Sequence, residues 1–439
     1  MKAPRLLSLQ ALSFVLVVAL LAGCGEAFMA EDTLETEEQL LSDTKLRHDK
    51  FLSRAKRSGK DGSELGLIVG TLEAQKVIER FKIIERYKVF ERYEYDVAMD
   101  GIAISVTDTT GEYNYDEFFA MLDADPDVNW YEPDFKLMAP EAYAKYASTN
   151  QVMPWGVQAV DADQSWTASS WRKNKVHVYV VDSGIDHDDL NVVERVDFVN
   201  DGATGDPDGH GTHVAGTIGA IDDGDHVVGV APGVQIHDYR VLGADGTTDV
   251  SVVLAAVERI TQEKLDNPNR AMVVNMSLGE NVGTPGYTAL DDAVAASIGA
   301  GVIYVIASGN YGVDASTVTP AHVRQAITVG AYSETNEHSW FSSNGDMIDV
   351  LAPGEAVLSL EAGGSLETLS GTSMAAAHVT GIVARMLAED YKLSPSYVAN
   401  LVASRAKGLV SGAPKGTTQK GATVVPCPER DDGRCEWGG

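Results

Sequence analysis

Positive charge is scarce in this chain: 34 Lys and Arg stand against 64 Asp and Glu in 439 residues, a formal net charge of −30. That balance disfavours a nucleic-acid partner, because phosphate binding needs clustered cations to displace condensed counterions. A solvated, self-repelling surface is the ordinary reading of such acidity, with salt tolerance and cation binding as further ones. Cysteine is scarcer still, at three residues, and a Cys427–Cys435 pair would staple a tail while leaving the main core untouched. Long apolar runs are short as well, since Leu6 to Leu21 is too brief for a stable membrane span. Apolar residues at 44% and charged residues at 22% argue against a largely disordered chain. The length permits more than one folding unit and a sizeable core.

Lys2 and Arg5 precede the apolar run, the pattern of a secretory leader over residues 1–24, so the chain is expected outside the cytoplasm: extracellular, at the cell surface or periplasmic. The run ends in Leu21-Ala22-Gly23-Cys24, which is similar to a bacterial lipobox, where the Cys becomes the lipidated first residue. An ordinary signal peptide cut nearby is the alternative. With Cys24 set aside, Cys427 and Cys435 are either one disulfide or two free thiols.

Residues 25–62 are charged and weakly periodic, as a linker would be. Residues 63–140 read as a small α+β unit of the ferredoxin-like kind. Its strands fall at Leu65–Val69, in two stretches of Tyr93–Val106 around Asp100-Gly101, and at Val128–Pro133; its helices fall near Leu72–Phe81 and over Tyr115–Asp123. Met138 to Val152 lacks strong periodicity and suits an exposed connection open to proteolysis. Residues 150–410 alternate apolar strands with amphipathic or small-residue helices, which predicts one α/β domain with a parallel sheet covered on both faces. The strand candidates are Val176–Val181, Val234–Val241, Met272–Met276, Val302–Ala307 and Ala326–Val329. Residues 411–439 read as a C-terminal tail.

Ligands of an open parallel sheet gather beyond the carboxyl ends of its strands. The strand VHVYVV runs straight into Asp182-Ser183-Gly184, which places an acid at that edge. GHGTHVAGT places His210 where a helix of small residues begins, able to approach the sheet closely. LSGTSMAAAHVTGIV places Ser373 at the start of another such helix. A serine hydroxyl is a weak nucleophile until an imidazole takes its proton, and that imidazole needs a carboxylate to fix its tautomer. Asn310, after the strand GVIYVIASG, is the candidate donor to an oxyanion, together with the Ser373 backbone N–H. His213 and His378, inside the two helices, read as packing residues.

The blocks VVDSGID, GHGTHVAGT, NMSLG, ASGN and LSGTSMAAAHVTG, in that order, resemble the Asp, His, substrate-strand, oxyanion and Ser blocks of the subtilisin-like serine proteases over nearly all of Trp155–Ala406. The order Asp, His, Ser separates the chain from α/β-hydrolases. The resemblance implies a three-layer α/β fold around a central, mostly parallel seven-stranded sheet, preceded by an inhibitor propeptide that MDGIAISV and DPDVNWYEPD also resemble. It implies a monomeric endopeptidase made as an autoprocessed zymogen, with protein or peptide substrates, its own propeptide as chaperone and inhibitor, and a cut between Met138 and Trp155. Carried over by position, Gly246, Thr247 and Thr248 on one side and Ser277, Leu278 and Gly279 on the other would sandwich an extended substrate. A structural calcium ion would take side-chain ligands from Gln151, Asp189 and Asp223 and carbonyls from Ile221, Asp225 and Val227. No catalytic cofactor is implied. Ala377 and Glu280 depart from the family pattern, and Glu280 is either a solvated surface residue or a carboxylate near the cleft.

Overall fold

The computed structural model describes residues 65–82, 86–110, 115–138, 142–146, 151–163, 174–286, 288–408 and 410–424. The leader with Cys24, the charged linker and the Cys427–Cys435 pair lie outside these residues. Among the described residues no helix is long and apolar enough to cross a membrane.

The N-terminal unit follows the order β1 (Leu65–Gly70), α1 (Ala74–Lys82), β2 (Tyr87–Tyr95), β3 (Gly101–Asp108), α2 (Asp116–Ala124), β4 (Trp130–Pro133). Its four strands pair antiparallel in the order β2-β3-β1-β4, the ferredoxin-like arrangement expected from the pattern. Val77, Ile78 and Phe81 of α1 and Phe118, Phe119 and Leu122 of α2 bury against Leu65, Leu67 and Val69. The second strand begins earlier than Tyr93, at Tyr87, because Tyr87 and Val89 bury while Lys88 and Phe90 face out.

Beyond this unit, β5 (Lys136–Met138) and β6 (Ala142–Tyr146) lead into the large domain. Its helices are α3 (Trp155–Ala159), α4 (His210–Gly219), α5 (Val250–Asp266), α6 (Ala289–Gly299), α7 (Thr372–Glu389) and α8 (Pro395–Arg405). Its strands are β7 (Val176–Asp182), β8 (Val192–Asp197), β9 (Gln235–Arg240), β10 (Thr247–Asp249), β11 (Ala271–Met276), β12 (Glu280–Asn281), β13 (Ile303–Ala307), β14 (Val318–Thr319), β15 (Ile327–Tyr332), β16 (Val350–Pro353), β17 (Val357–Glu361) and β18 (Ser365–Leu369). Seven of them form one sheet in the order β16-β15-β13-β11-β7-β9-β8, and every pairing is parallel. Both faces are covered: Val176, Val178 and Val180 of β7 pack with α4 and α7, while Tyr179 and Val181 pack with α5 and α6. Two-sided burial explains why β7 reads as a continuous apolar run, each such side chain contributing roughly 1.5–3 kcal/mol. The sequence pattern missed β8, whose residues alternate between half-buried and exposed, and the short β16. The connection after Met138, expected to lack regular structure, holds β6, which pairs antiparallel with β18 from Ala142↔Leu369 to Tyr146↔Leu366.

Two sets of contacts tie the N-terminal unit and the C-terminal segment to the large domain. The N-terminal unit seats its carboxylates on helix starts: Glu132 accepts from the Ala289 N–H of α6 (3.1 Å) and Asp134 from the Ser251 N–H of α5 (2.8 Å). In return, Glu258 of α5 accepts from the backbone N–H groups of Asp96, Val97 and Ala98. Burial pushes the Glu132 carboxyl up to about 8 although the Ala289 N–H opposes it. At the other end, residues 410–424 run beside β16, with the Ala422 N–H donating to Leu351 O (2.7 Å) and the Val424 N–H to Val160 O (2.7 Å), while the Thr423 hydroxyl donates to Asp161.

Candidate active site

The order of strands reverses at β7, whose neighbours β11 and β9 lead outward in opposite directions, and Asp182 is its last residue. Gly184 turns the chain out at φ +117°, and a side chain there would begin 2.2 Å from Gly205 O, so only glycine fits. Gly211 of α4 is equally constrained, because a Cβ would lie 2.2 Å from Gly184 O. That close approach brings His210, the first residue of α4, against the strand: His210 Nδ1 lies 2.7 Å from Asp182 Oδ1, both side chains fully buried. Among the described residues, the second Asp182 oxygen and His210 Nε2 have no hydrogen-bond partner. Burial disfavours the imidazolium, but the Asp182 charge and hydrogen bond, followed by Asp208 and Asp206, more than offset it and raise the His210 pKa above 6.5.

Ser373 is the second residue of α7, behind Gly371. Its hydroxyl donates to Ser277 O (3.2 Å), so no hydrogen bond joins it to the imidazole in this state. Ser373 and Asn310 line one cavity of about 280 Å³ with Ser277, Leu278, Gly279 and Met138. Asn310 Oδ1 accepts from the Thr372 N–H (2.8 Å) and hydroxyl (3.0 Å), which commits that oxygen and fixes the amide plane. Sequence reasoning missed Thr372, although its place beside Ser373 was a signal. It also missed Tyr311, whose hydroxyl donates to Gly279 O (3.2 Å), and the exposed Trp340 at the rim; neither has a local motif. Glu280 does not line the cavity and lies 3.5 Å from the Tyr311 hydroxyl.

The two expected substrate edges are both engaged by the chain itself. Thr247 and Thr248 of β10 pair antiparallel with Met138 and Leu137 of β5, and the Met138 N–H donates to Gly279 O (3.4 Å). Gly246 supplies the turn into β10 at φ +68°.

Residues 173–424 match the model of the Subtilase family. The chain belongs to that family. This subtilase is 38% identical to subtilisin DY of Bacillus licheniformis over 265 residues, 59% of its own length and 93% of the relative's. It is 36% identical over 318 residues to an extracellular serine proteinase of Thermus sp. (strain Rt41A), covering 70% of each chain. The crystal structure of a cold adapted subtilisin-like serine proteinase superimposes with a TM-score of 0.55 at 36% identity, over 62% of this subtilase and 98% of that chain. The protein is a subtilisin-like serine endopeptidase, and its all-parallel sheet is the expected three-layer fold.

Away from the cleft of this subtilase, the Gln151 amide donates to Ile221 O (2.9 Å) and Val227 O (3.3 Å), and Asp223 Oδ1 accepts from the Asp225 N–H (3.1 Å). Both carboxylate oxygens of Asp189 are buried there without a hydrogen-bond partner among the described residues, and burial, then the Asp223 charge, raises that carboxyl to about 6. Among the described residues no group of three or more His, Cys, Asp or Glu could hold a metal, so an ion here would depend on carbonyl and amide oxygens. His213 Nε2 donates to Val357 O and His378 Nδ1 to Met374 O, and burial holds them down at about 3 and about 4, as befits packing residues.

Proposed function

We propose that Asp182, His210 and Ser373 are the triad of this endopeptidase, with Asn310 as oxyanion donor. The observation that carries the reading is the buried Asp182–His210 pair at the end of the central strand, beside two helices whose first turns hold His210 and Ser373. In the mechanism, Ser373 Oγ turns from Ser277 O to His210 Nε2, gives up its proton and attacks the substrate carbonyl. Asn310 and the Ser373 N–H hold the developing oxyanion. His210 then passes the proton to the leaving amine, and water hydrolyses the ester by the same relay. A phosphonylating reagent should label wild type on Ser373 alone; absence of label ends the proposal.

His210 must be neutral to accept the serine proton. Its pKa is raised above 6.5, so the acid limb of the kcat/KM profile is expected above that pH, activity falling as the imidazole protonates. A limb well below 6.5 counts against the assignment.

We also propose that residues 63–140 are the inhibitor propeptide of an exported zymogen. Support comes from β5, which lies between β10 and Gly279 where a substrate strand would, and from the carboxylates on α5 and α6. With β5 on one side of the Ser373 cleft and β6 on β18, the first cut is expected between Met138 and Ala142. Early in processing, two fragment masses should sum to the precursor plus one water; a first cut after Tyr146 overturns the placement. The leader supports export and the Leu-Ala-Gly-Cys motif supports lipidation of Cys24, which a Cys24→Ala variant with unchanged membrane association would refute.

The orphaned Asp189 carboxylate and Asp223 fit a hard cation, and we assign calcium to Gln151, Asp189, Asp223 and the carbonyls of Ile221, Asp225 and Val227, the Gln151 amide turning its oxygen inward in place of the NH2 that Ile221 O and Val227 O now accept from. The bound ion would supply positive charge against a desolvated carboxylate. Chelation is expected to lower Tm by roughly 5–10 °C, restored by added calcium; an unchanged Tm removes the site.

A further inference from the structure

We infer that Asp206 is a positioning residue for catalysis: its buried carboxylate locks the strand end that carries Asp182 to the helix start that carries His210. The inference rests on the triad reading. Asp206 belongs to none of the motif blocks singled out in the sequence, and it is only 6% exposed.

Four donors converge on this one carboxylate. Oδ1 accepts from the Ser183 hydroxyl (2.7 Å) and the Gly209 N–H (2.8 Å); Oδ2 accepts from the Thr212 N–H (2.7 Å) and hydroxyl (2.6 Å). Gly209 and Thr212 flank His210. Ser183 follows Asp182, and its N–H donates to Asp182 Oδ1 (2.7 Å), the same oxygen that meets His210 Nδ1. The Ser183 hydroxyl also accepts from the Gly211 N–H (2.9 Å), a second tie between the two elements. An acid needed only to cap α4 would be served by Gly209 and Thr212 alone. The arm to Ser183 reaches from the helix start to the strand end and sets the register between acid and base.

Short charge-assisted bonds of this kind are about twice as strong as neutral ones, and a misplacement of about 1 Å can cost about 100-fold in rate. Charge matters as well as geometry. The ionisable groups facing the His210 imidazole are Asp182 from β7, Asp206 and Asp208 from the loop before α4, and His213 one turn along α4. His213 is held neutral by burial, so Asp206 is one of three negative charges favouring the imidazolium. Asp206 in turn faces Asp238, which is paired with Arg195 at 2.8 Å.

The test compares wild type, Asp206→Asn and Ser183→Ala as mature enzyme, with active sites counted by a phosphonylating reagent. An amide offers one acceptor and turns an NH2 toward two donors, so D206N is expected to lose about 10- to 100-fold in kcat per titrated site with KM within about twofold. Its acid limb should move to lower pH, because a negative charge beside the imidazole is gone. S183A keeps the charge and removes both ties that run through the Ser183 hydroxyl, the arm to Asp206 and the bond from the Gly211 N–H, so kcat should fall about five- to tenfold with the limb unmoved. A merely structural Asp206 would lower the yield of titratable enzyme and leave kcat per site and the limb where they were; that result overturns the inference. Should D206N not accumulate, S183A decides alone, and its kcat within twofold of wild type overturns it. A wild type that no reagent titrates sinks the triad reading itself, which is a different outcome.

Discussion

Replacing Ser373 with Ala is expected to lower kcat for peptide hydrolysis about 10⁶-fold, with the precursor left uncut and the fold intact. That magnitude is the one known for subtilisin, a member of the same family, and is carried over rather than obtained from distances here. The geometry supplies the reason. Ser373 is 1% exposed beneath the cavity, its hydroxyl makes one hydrogen bond, to Ser277 O, and methyl for hydroxymethyl leaves no buried donor stranded. Secondary structure and Tm should therefore match wild type. Residual activity of about 10³–10⁴ over water belongs to the oxyanion donors and binding alone. Turnover of S373A within tenfold of wild type would remove Ser373 from the chemistry.

Asn310→Ala should come next, with kcat reduced about 10²- to 10³-fold, or about 2.7–4 kcal/mol, and KM little changed. The scale is again that of an oxyanion amide in subtilisin. Thr372 holds the Asn310 carbonyl oxygen with two hydrogen bonds, so the amide is oriented before substrate arrives and no reorganisation accompanies the transition state. Alanine leaves the Thr372 N–H and hydroxyl without that acceptor, and a modest loss of stability accompanies the kinetic effect. Peptide anilides measured at several concentrations separate the two constants. An effect confined to KM would assign Asn310 to substrate binding instead.

The residues proposed for the chemistry were legible because each requirement leaves a local mark. An acid after a continuous apolar strand, and a His and a Ser each at the head of a glycine- and alanine-rich helix, are what close packing at a strand end demands, and the five core strands announced themselves by burial on both faces. Edge elements did not. The residues of β8 are half-buried or exposed, and its place was set by pairing with β9, a partner about 40 residues away. β6 owes its strand conformation to backbone bonds with β18, more than 200 residues on, which no local periodicity could reveal. Asp206 escaped for a related reason: an Asp in a loop of several acidic residues looks solvated until the four donors that surround it are seen. Likewise, the signal for residues 411–424 was weak because their order comes from bonds to Leu351, Val160 and Asp161 rather than from apolar spacing.

That last arrangement has a bearing on survival. An endopeptidase works among copies of itself, each able to hydrolyse whatever segment frays into an extended strand, and loosely held segments are where fraying starts. Here the incoming chain at Val160 and Asp161 and the outgoing chain at Thr423 and Val424 are knotted to each other, so neither can peel away while the other stays put. A neighbouring copy must break the bonds of both segments at that seam before it can draw either into its cleft.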